Sequence, residues 1–152
     1  MKNLIFDFEI GRVIIGEIEI SPATEFRDLL ARKRKYGSAN EGIVFGERNP
    51  LTIGEEISIS SFFFKVDAYF NAQEKIRLLS FMLLSGKLNS DKNFNYEVVV
   101  LDKKRVSKVV FHEVTSAKEL TTPEKDVFSF KWGRVLVEAN PLSMCCHINV
   151  LY

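Results

Sequence analysis

Most even-numbered positions near the start of the chain are apolar, whereas many of their odd-numbered neighbours are polar. The even-numbered apolar residues are Leu4, Phe6, Phe8, Ile10, Ile14, Ile18 and Ile20. An alternation of period two is typical of strands that bury one face. We expect a hairpin with a loop at residues 11–13, because three loop residues keep both apolar sets on one face of the sheet. This register pairs Ile10 with Ile14 and Phe6 with Ile18.

The next segment carries the start and stop signals of a helix. Ser21 suits the N-cap, and Pro22 suits the first helical position. Apolar residues follow at helical spacing between positions 26 and 30, and Gly37 is a typical stop. The pattern predicts a helix over about residues 22–36.

Two apolar series of opposite parity meet in the middle of the chain. Ile57 and Ile59 lie at odd positions, whereas the apolar residues from Phe62 to Phe70 lie at even positions. A strand that keeps one face buried cannot change parity without an irregularity. The switch near Ser60-Ser61 therefore predicts a β-bulge or a strand break.

A second helix is predicted over about residues 72–85. The sequence Asn71-Ala72-Gln73-Glu74 resembles a capping box, with Asn71 at the N-cap. Apolar residues that share one face of such a helix are Ile76, Leu79, Met82 and Leu83. Gly86 follows as a stop signal, so the pattern is consistent with a mostly buried helix.

Strand patterns dominate the rest of the chain. The predicted strands are Tyr96–Leu101, Val106–Val114, Phe128–Trp132, Val135–Val137 and His147–Tyr152, the last as a candidate edge strand. Residues 102–105 read as a hairpin loop, Thr115–Asp126 as a polar loop, and Asn140-Pro141 as a strand break. Because strands do not alternate regularly with helices, we expect an α+β fold with a mainly antiparallel sheet and two principal helices.

Length and composition narrow the class of protein. The 152 residues predict a single domain over 1–152, long enough to bury a core without a disulfide or metal. The 21 basic and 20 acidic residues leave a net charge of +1, so nucleic-acid binding is not expected. Acids interrupt the apolar start, and no segment approaches the ~20 apolar residues that cross a bilayer. With adjacent cysteines that rarely form a disulfide, these features predict a cytoplasmic protein with no membrane association.

The first candidate site is the acidic side of the predicted N-terminal hairpin. In the expected register, Asp7 faces Glu17, with Glu9 and Glu19 on the same side. Like charges directly opposite each other destabilise a sheet, so four acids on one face suggest a surface kept for a partner. We expect these residues to bind a basic protein, such as a toxin that cleaves nucleic acid, since complementary charge speeds association. The alternative is an ordinary solvent face with salt bridges to neighbouring cations.

Two basic runs, residues 32–35 and residues 103–105, could contact phosphate groups. Consecutive residues of a helix point in different directions and make no single face. Cations at a helix C-terminus are also favoured by the helix dipole. We interpret both runs as solvated surface.

Catalytic and metal-binding signatures do not stand out. Cys145-Cys146-His147 offers possible zinc ligands, but a structural zinc site needs four ligands at characteristic spacings, and His112 is the only other histidine. We find no phosphate loop, nucleophile elbow or zinc-protease helix. The sequence therefore predicts no catalytic residues, no metal and no cofactor.

These observations favour a small protein-binding or inhibitor protein. The most concrete form is an immunity protein that neutralises a bacterial toxin by covering its active or substrate-binding face. One alternative is a small-ligand-binding protein or enzyme with a pocket between helix and sheet, with candidates His112, His147, Cys145 and Tyr96. Another is a structural or adaptor subunit of an oligomer, whose oligomeric state the sequence does not define.

Overall fold

The computed structural model describes residues 2–36, 45–84 and 95–152. Within these ranges the chain forms ten strands, two α-helices and one short 3₁₀ helix. In chain order they are β1 (Lys2–Asp7), β2 (Arg12–Ile15), β3 (Ile18–Ile20), α1 (Phe26–Tyr36), β4 (Leu51–Ile59), β5 (Phe62–Phe70), β6 (Ile76–Leu83), α2 (Tyr96–Val110), the 3₁₀ helix (His112–Ala117), β7 (Lys118–Thr121), β8 (Lys125–Phe130), β9 (Gly133–Asn140) and β10 (Cys145–Leu151). Neither α-helix of the described ranges has the length and apolarity needed to cross a bilayer.

The strands form one ten-stranded sheet in the order β3-β2-β1-β4-β5-β6-β10-β9-β8-β7. Neighbouring strands are antiparallel except β1 and β4, which are parallel. The expected α+β class with a mainly antiparallel sheet is therefore confirmed. The strand predicted at His147–Tyr152 is present as β10. Its predicted position at the edge of the sheet is wrong, because β10 pairs with β6 on one side and β9 on the other. The described sheet ends instead at β3 and β7.

Aromatic rings join the two ends of the sheet around one core. Phe64, Phe81 and Phe128 are fully buried on its inner face, where α2 packs on β9 and β10. The indole Nε1 of Trp132 donates a hydrogen bond to the carbonyl oxygen of Phe8 at 2.7 Å. Burying each such ring stabilises the fold by about 1.5–3 kcal/mol. The β8–β9 turn is thus fastened to the segment that follows β1.

The predicted register of the N-terminal hairpin is wrong. Strand β1 pairs with β2, so Phe6 lies opposite Val13, and β3 then pairs with β2. Gly16, with a φ of 61°, starts the tight turn from β2 to β3. A left-handed residue there suits glycine, and the turn adds a strand that the alternation alone does not reveal. As a result, Ile14 faces away from the buried side instead of toward it.

The predicted helix over residues 72–85 is also wrong, because this segment forms β6. The side chain of Asn71 accepts hydrogen bonds from the backbone N–H groups of Gln73 and Lys75, both at 3.0 Å, and Glu74 has a φ of 59°. An asparagine side chain binds backbone N–H groups in a turn just as it does at an N-cap. The apolar run then forms a strand paired on both sides, with β5 and β10. Short apolar runs of this kind fit both periods.

The strands predicted over Tyr96–Leu101 and Val106–Val114 are instead α2 and the start of the 3₁₀ helix. Asn95 caps α2 through its side chain, which accepts from the N–H of Val98 at 3.3 Å. The β-branched valines of this segment favour strands when judged locally. Packing against β9 and β10 outweighs that preference. Residues 102–105 therefore lie inside a helix and form no hairpin loop.

Other boundaries follow the sequence more closely. The chain breaks between β4 and β5 at Ser60, which has a φ of 53°, as the parity change predicts. The first predicted helix is confirmed over Phe26–Tyr36, and its expected stop at Gly37 lies outside the described residues, as does Gly86. The helix starts late because the carbonyl of Thr24 accepts from the N–H of Ile76. The predicted loop over Thr115–Asp126 contains β7 and the start of β8.

Candidate functional site

We call β1, β2 and β3 the N-terminal meander. One face of it enters the core through Val13, Ile15, Ile18 and Ile20, which are all buried. The opposite face carries Asp7, Arg12 and Glu19, together with Ile5 and Ile14 from the first two strands. Alternate residues of a strand point to opposite sides of the sheet, so burying the first set presents the second to solvent.

Arg12 holds two of the four predicted acids together. Its Nη2 lies 3.0 Å from Oδ2 of Asp7, and its Nη1 lies 3.9 Å from Oε1 of Glu19. The pairing follows from the register, because Asp7 and Arg12 are direct cross-strand partners. Such partly exposed pairs stabilise a fold by at most about 1 kcal/mol. The acids therefore belong to an ion-pair network of the kind that the alternative interpretation expected, with Arg12 as the cation.

The other two acids are exposed and lie in turns. Glu9 follows β1, and its backbone N–H donates to Oδ1 of Asp7 at 3.3 Å. Glu17 lies in the turn between β2 and β3, at the opposite end of the meander. Strand β2 separates the two ends by about 10 Å, at ~3.4 Å per residue. The predicted facing of Asp7 and Glu17 is wrong, so the four acids line the meander without forming one cluster.

Exposed apolar residues lie beside these acids. The sequence analysis identified the acids but did not identify these apolar residues as part of the surface. Ile5 is 57% exposed and pairs across the strands with Ile14, and Ile10 in the turn after β1 is 52% exposed. Single exposed apolar side chains are common on protein surfaces, and those surrounded by charged groups can serve as anchors when a partner covers them. The signal was present, because Ile5 interrupts the run of polar residues at odd positions. Only the register shows on which face it lies.

The candidates for a catalytic site lie on different parts of the fold. His112 starts the 3₁₀ helix, and its Nδ1 lies 3.1 Å from the carbonyl oxygen of Val109. Tyr96 begins α2, and its hydroxyl donates to the carbonyl oxygen of Ala139 at 2.8 Å. Cys145 and His147 lie on β10. Cys145 and His147 share one side of β10, but the side chains of His112 and Tyr96 contact the backbone carbonyls of Val109 and Ala139 instead, so the four candidates do not form a single site.

His147 nevertheless lies beside a serine hydroxyl, as the general base of a serine nucleophile does. Its Nε2 lies 2.8 Å from the hydroxyl oxygen of Ser143. Burial lowers the pKa of His147, and the nearby charge of Glu138 opposes that change. The backbone N–H groups of Leu142 and Ser143 both donate to the side chain of Asn140, so neither is free to bind an oxyanion. Two backbone N–H groups of the loop are therefore not available as the oxyanion donors that acyl-transfer chemistry requires.

The cysteines do not have the properties of reactive thiols. Burial raises the pKa of Cys146 to about 12, and burial also raises the pKa of Cys145. The thiolate is the form that attacks electrophiles and binds metals, so both groups are weakly nucleophilic at neutral pH. In the ranges that the structure describes, no three His, Cys, Asp or Glu side chains are grouped so as to hold a metal ion.

The basic run at residues 32–35 contributes to packing at its first position. A guanidinium nitrogen of Arg32 donates to the carbonyl oxygen of Glu19 at 2.8 Å, which ties α1 to β3. The side chains of residues 34 and 35 lie outside the described part of the structure. The run therefore gives α1 a contact with the meander.

Comparisons with protein-family models, with curated proteins and with solved structures find no match for this chain.

Proposed function

We propose that this protein binds a basic protein partner through the outer face of the N-terminal meander. The observation that carries the proposal is Ile5, which is 57% exposed on the face that carries the Asp7–Arg12–Glu19 network. Residues 2–20 contain four acids and two cations, Lys2 and Arg12, so the meander carries a net negative charge. Apolar anchors contribute most of the affinity of a complex, whereas the surrounding charges orient the partner and raise the association rate.

The energies of the two contributions differ. Burying a fully exposed isoleucine contributes roughly 1.5–3 kcal/mol. Ile5 and Ile10 are 57% and 52% exposed, so covering both can contribute about that much and lets them act as the main anchors. The acids contribute mainly to the association rate, which falls as salt screens them. Glu9 and Glu17 are free of ion pairs within the described residues, so they can meet cations of a partner at little cost.

A basic nucleic-acid-cleaving toxin fits this surface by charge. Such an enzyme needs cations to hold its substrate, and an acidic surface can cover them in place of phosphate groups. The mechanism is occlusion, which requires no catalytic group in this chain. We further propose that the protein acts in the cytoplasm, where its two free cysteines would remain reduced.

The test is affinity capture of the tagged full-length chain from its native cells at low salt, followed by elution with a salt step and mass spectrometry. Two variants map the surface. One carries Asp7→Asn, Glu9→Gln, Glu17→Gln and Glu19→Gln, and the other carries Ile5→Ser. The matched control neutralises four exposed acids elsewhere, by Asp28→Asn, Glu97→Gln, Glu113→Gln and Glu124→Gln.

We expect one basic partner that binds the wild type and the control equally and that both meander variants lose. The purified partner should then bind more slowly as salt rises, while the Ile5→Ser variant should mainly increase its dissociation rate. Equal capture by the meander variants and the control would contradict the proposal. Recovery of the chain without a basic partner at every salt concentration would also contradict it.

A further inference from the structure

A second site lies far from the meander in the order of the sheet, at the edge formed by β7. A cleft of about 610 Å³ opens between the C-terminal half of α2, the 3₁₀ helix and the turn from β7 to β8. Cavities that hold small molecules commonly measure 300–1,000 Å³. The sequence did not indicate this cleft, because the segment that forms α2 has the pattern of strands and the segment that contains β7 has the pattern of a polar loop.

A buried ion pair forms the floor of the cleft. Nζ of Lys103 lies 2.8 Å from Oδ1 of Asp126, and each side chain is only 3% exposed. Ser107 donates from its hydroxyl to Oδ2 of Asp126 at 2.5 Å, and Lys103 also donates to the carbonyl oxygen of Thr122 at 3.0 Å. The charge of Asp126 is therefore compensated from within the fold.

The ionisation of Asp126 is consistent with this geometry. Burial raises its pKa, but the hydrogen bonds from Lys103 and Ser107 and the charges of Lys103 and Lys118 outweigh burial and lower the pKa overall. Asp126 is the one acidic residue among the described residues that line the cleft, whereas four lysines line it. An anion that enters the cleft thus meets an excess of positive charge.

Three of those lysines surround the opening from two sides. Lys104 and Lys108 lie four residues apart on α2, and both are exposed, without an ion-pair partner in the described part of the chain. Like charges at this spacing destabilise a helix by a few tenths of a kcal/mol. Lys118 approaches from β7, with Nζ 3.7 Å from Oδ2 of Asp126. The negative end of the α2 dipole, about half a charge, is smaller than these three ammonium charges together.

We propose that this cleft binds a small phosphorylated molecule. Lysines that converge from α2 and β7 can each meet a different oxygen of a tetrahedral phosphate. Arginine, which pairs with planar carboxylates through two parallel hydrogen bonds, does not line the cleft. The hydroxyls of Thr115 and Thr121 supply further donors, and Phe111 and Pro123 supply an apolar wall for the rest of the ligand. This site is independent of the proposed partner surface on the meander.

The test is isothermal titration calorimetry with the purified full-length chain at low salt. The probes are inorganic pyrophosphate and adenosine diphosphate, with citrate as an anion that carries carboxylates only. The test variant carries Lys104→Ala and Lys108→Ala. The matched control is Arg105→Ala, which removes an exposed cation of the same helix that does not line the cleft.

We expect both phosphate probes to bind the wild type and the Arg105→Ala control at one site per chain. The double variant should bind them about tenfold more weakly or worse, because two charge-assisted hydrogen bonds are lost. Circular dichroism checks that the exposed substitutions leave the fold intact. The proposal is overturned by a lack of binding at millimolar probe, by equal binding to the double variant, or by citrate binding as tightly as pyrophosphate.

Discussion

The N-terminal meander and the α2–β7 cleft both contain ion pairs, but the two regions differ in which charge lies at the centre and in how exposed the pair is to solvent. In the meander a cation, Arg12, lies between two carboxylates, and the side chains of Arg12 and Asp7 are 36% and 31% exposed. In the cleft a carboxylate, Asp126, is enclosed by cations, and its pair with Lys103 is almost completely buried. Exposure therefore decides what each pair can do. The exposed network can exchange its partners, whereas the buried pair must stay intact.

The energetic reason is desolvation. An exposed pair keeps most of its hydration, so forming or losing it changes stability little. A buried pair has lost that hydration, and removing one partner leaves an uncompensated charge in a poor solvent. The meander is thus suited to a surface that meets a partner, and the Lys103–Asp126 pair is suited to fixing the walls of a cleft.

The largest expected effect is the loss of one partner from the buried pair. Lys103→Met should lower the free energy of unfolding by about 3–5 kcal/mol, because Asp126 remains charged and buried. Urea denaturation at neutral pH measures this change.

The double variant Lys103→Met/Asp126→Leu is the control for lost packing. It should recover most of the stability, because an apolar pair of similar size needs no hydration. A loss below about 1 kcal/mol in the single variant would show that the pair is not desolvated as the structure indicates.

A second expectation concerns acid. The pKa of Asp126 in the folded protein lies below its ordinary value. Ionisation of Asp126 therefore stabilises the fold at pH values above that ordinary pKa. This contribution is lost as the pH falls from about 4 toward the lower folded pKa. Urea denaturation of the wild type between pH 6 and pH 2 should show this decline.

In Asp126→Asn the same decline should be smaller, since the titrating group is gone. If Asp126→Asn and the wild type lost stability in parallel, another carboxylate would be responsible for the acid sensitivity.

The smallest expected effect is at Arg12. Arg12→Gln should lower the free energy of unfolding by less than about 1 kcal/mol, because the network it forms is partly exposed. The same measurement at high salt should reduce the difference further, since salt screens exposed charges. A loss as large as that of Lys103→Met would erase the contrast between the two regions.

The sequence predicted those features that depend on neighbouring residues. The alternation from Phe62 to Phe70 gives a strand with buried even positions, and the parity change at Ser60-Ser61 marks its start. Of the candidate site, the sequence identified the acids of the meander, but the register that pairs Asp7 with Arg12 came from the structure. The turn that sets this register ends at Gly11, which has a φ of 70°, and glycines occur in too many kinds of turn to fix one from sequence alone.

The burial of Lys103 in the cleft depends on residues that are distant in sequence. Lys103 lies in a run of charges that reads as solvated surface, yet it is buried because Asp126 and Thr122 meet it across the fold. A charged side chain can be buried when distant residues pair with it, and the alternation of apolar and polar residues does not record that pairing.

The sequence by itself determined the α+β class, the first helix and most strands of the second half, because hydrophobic period and turn residues act over a few positions. The tertiary structure decided that residues 76–83 form a strand and that residues 96–110 form a helix. Both segments have apolar patterns compatible with either state, so the partners available in the fold set the outcome. Strands β5 and β10 pair with β6 on both sides, while β9 and β10 offer α2 an apolar face.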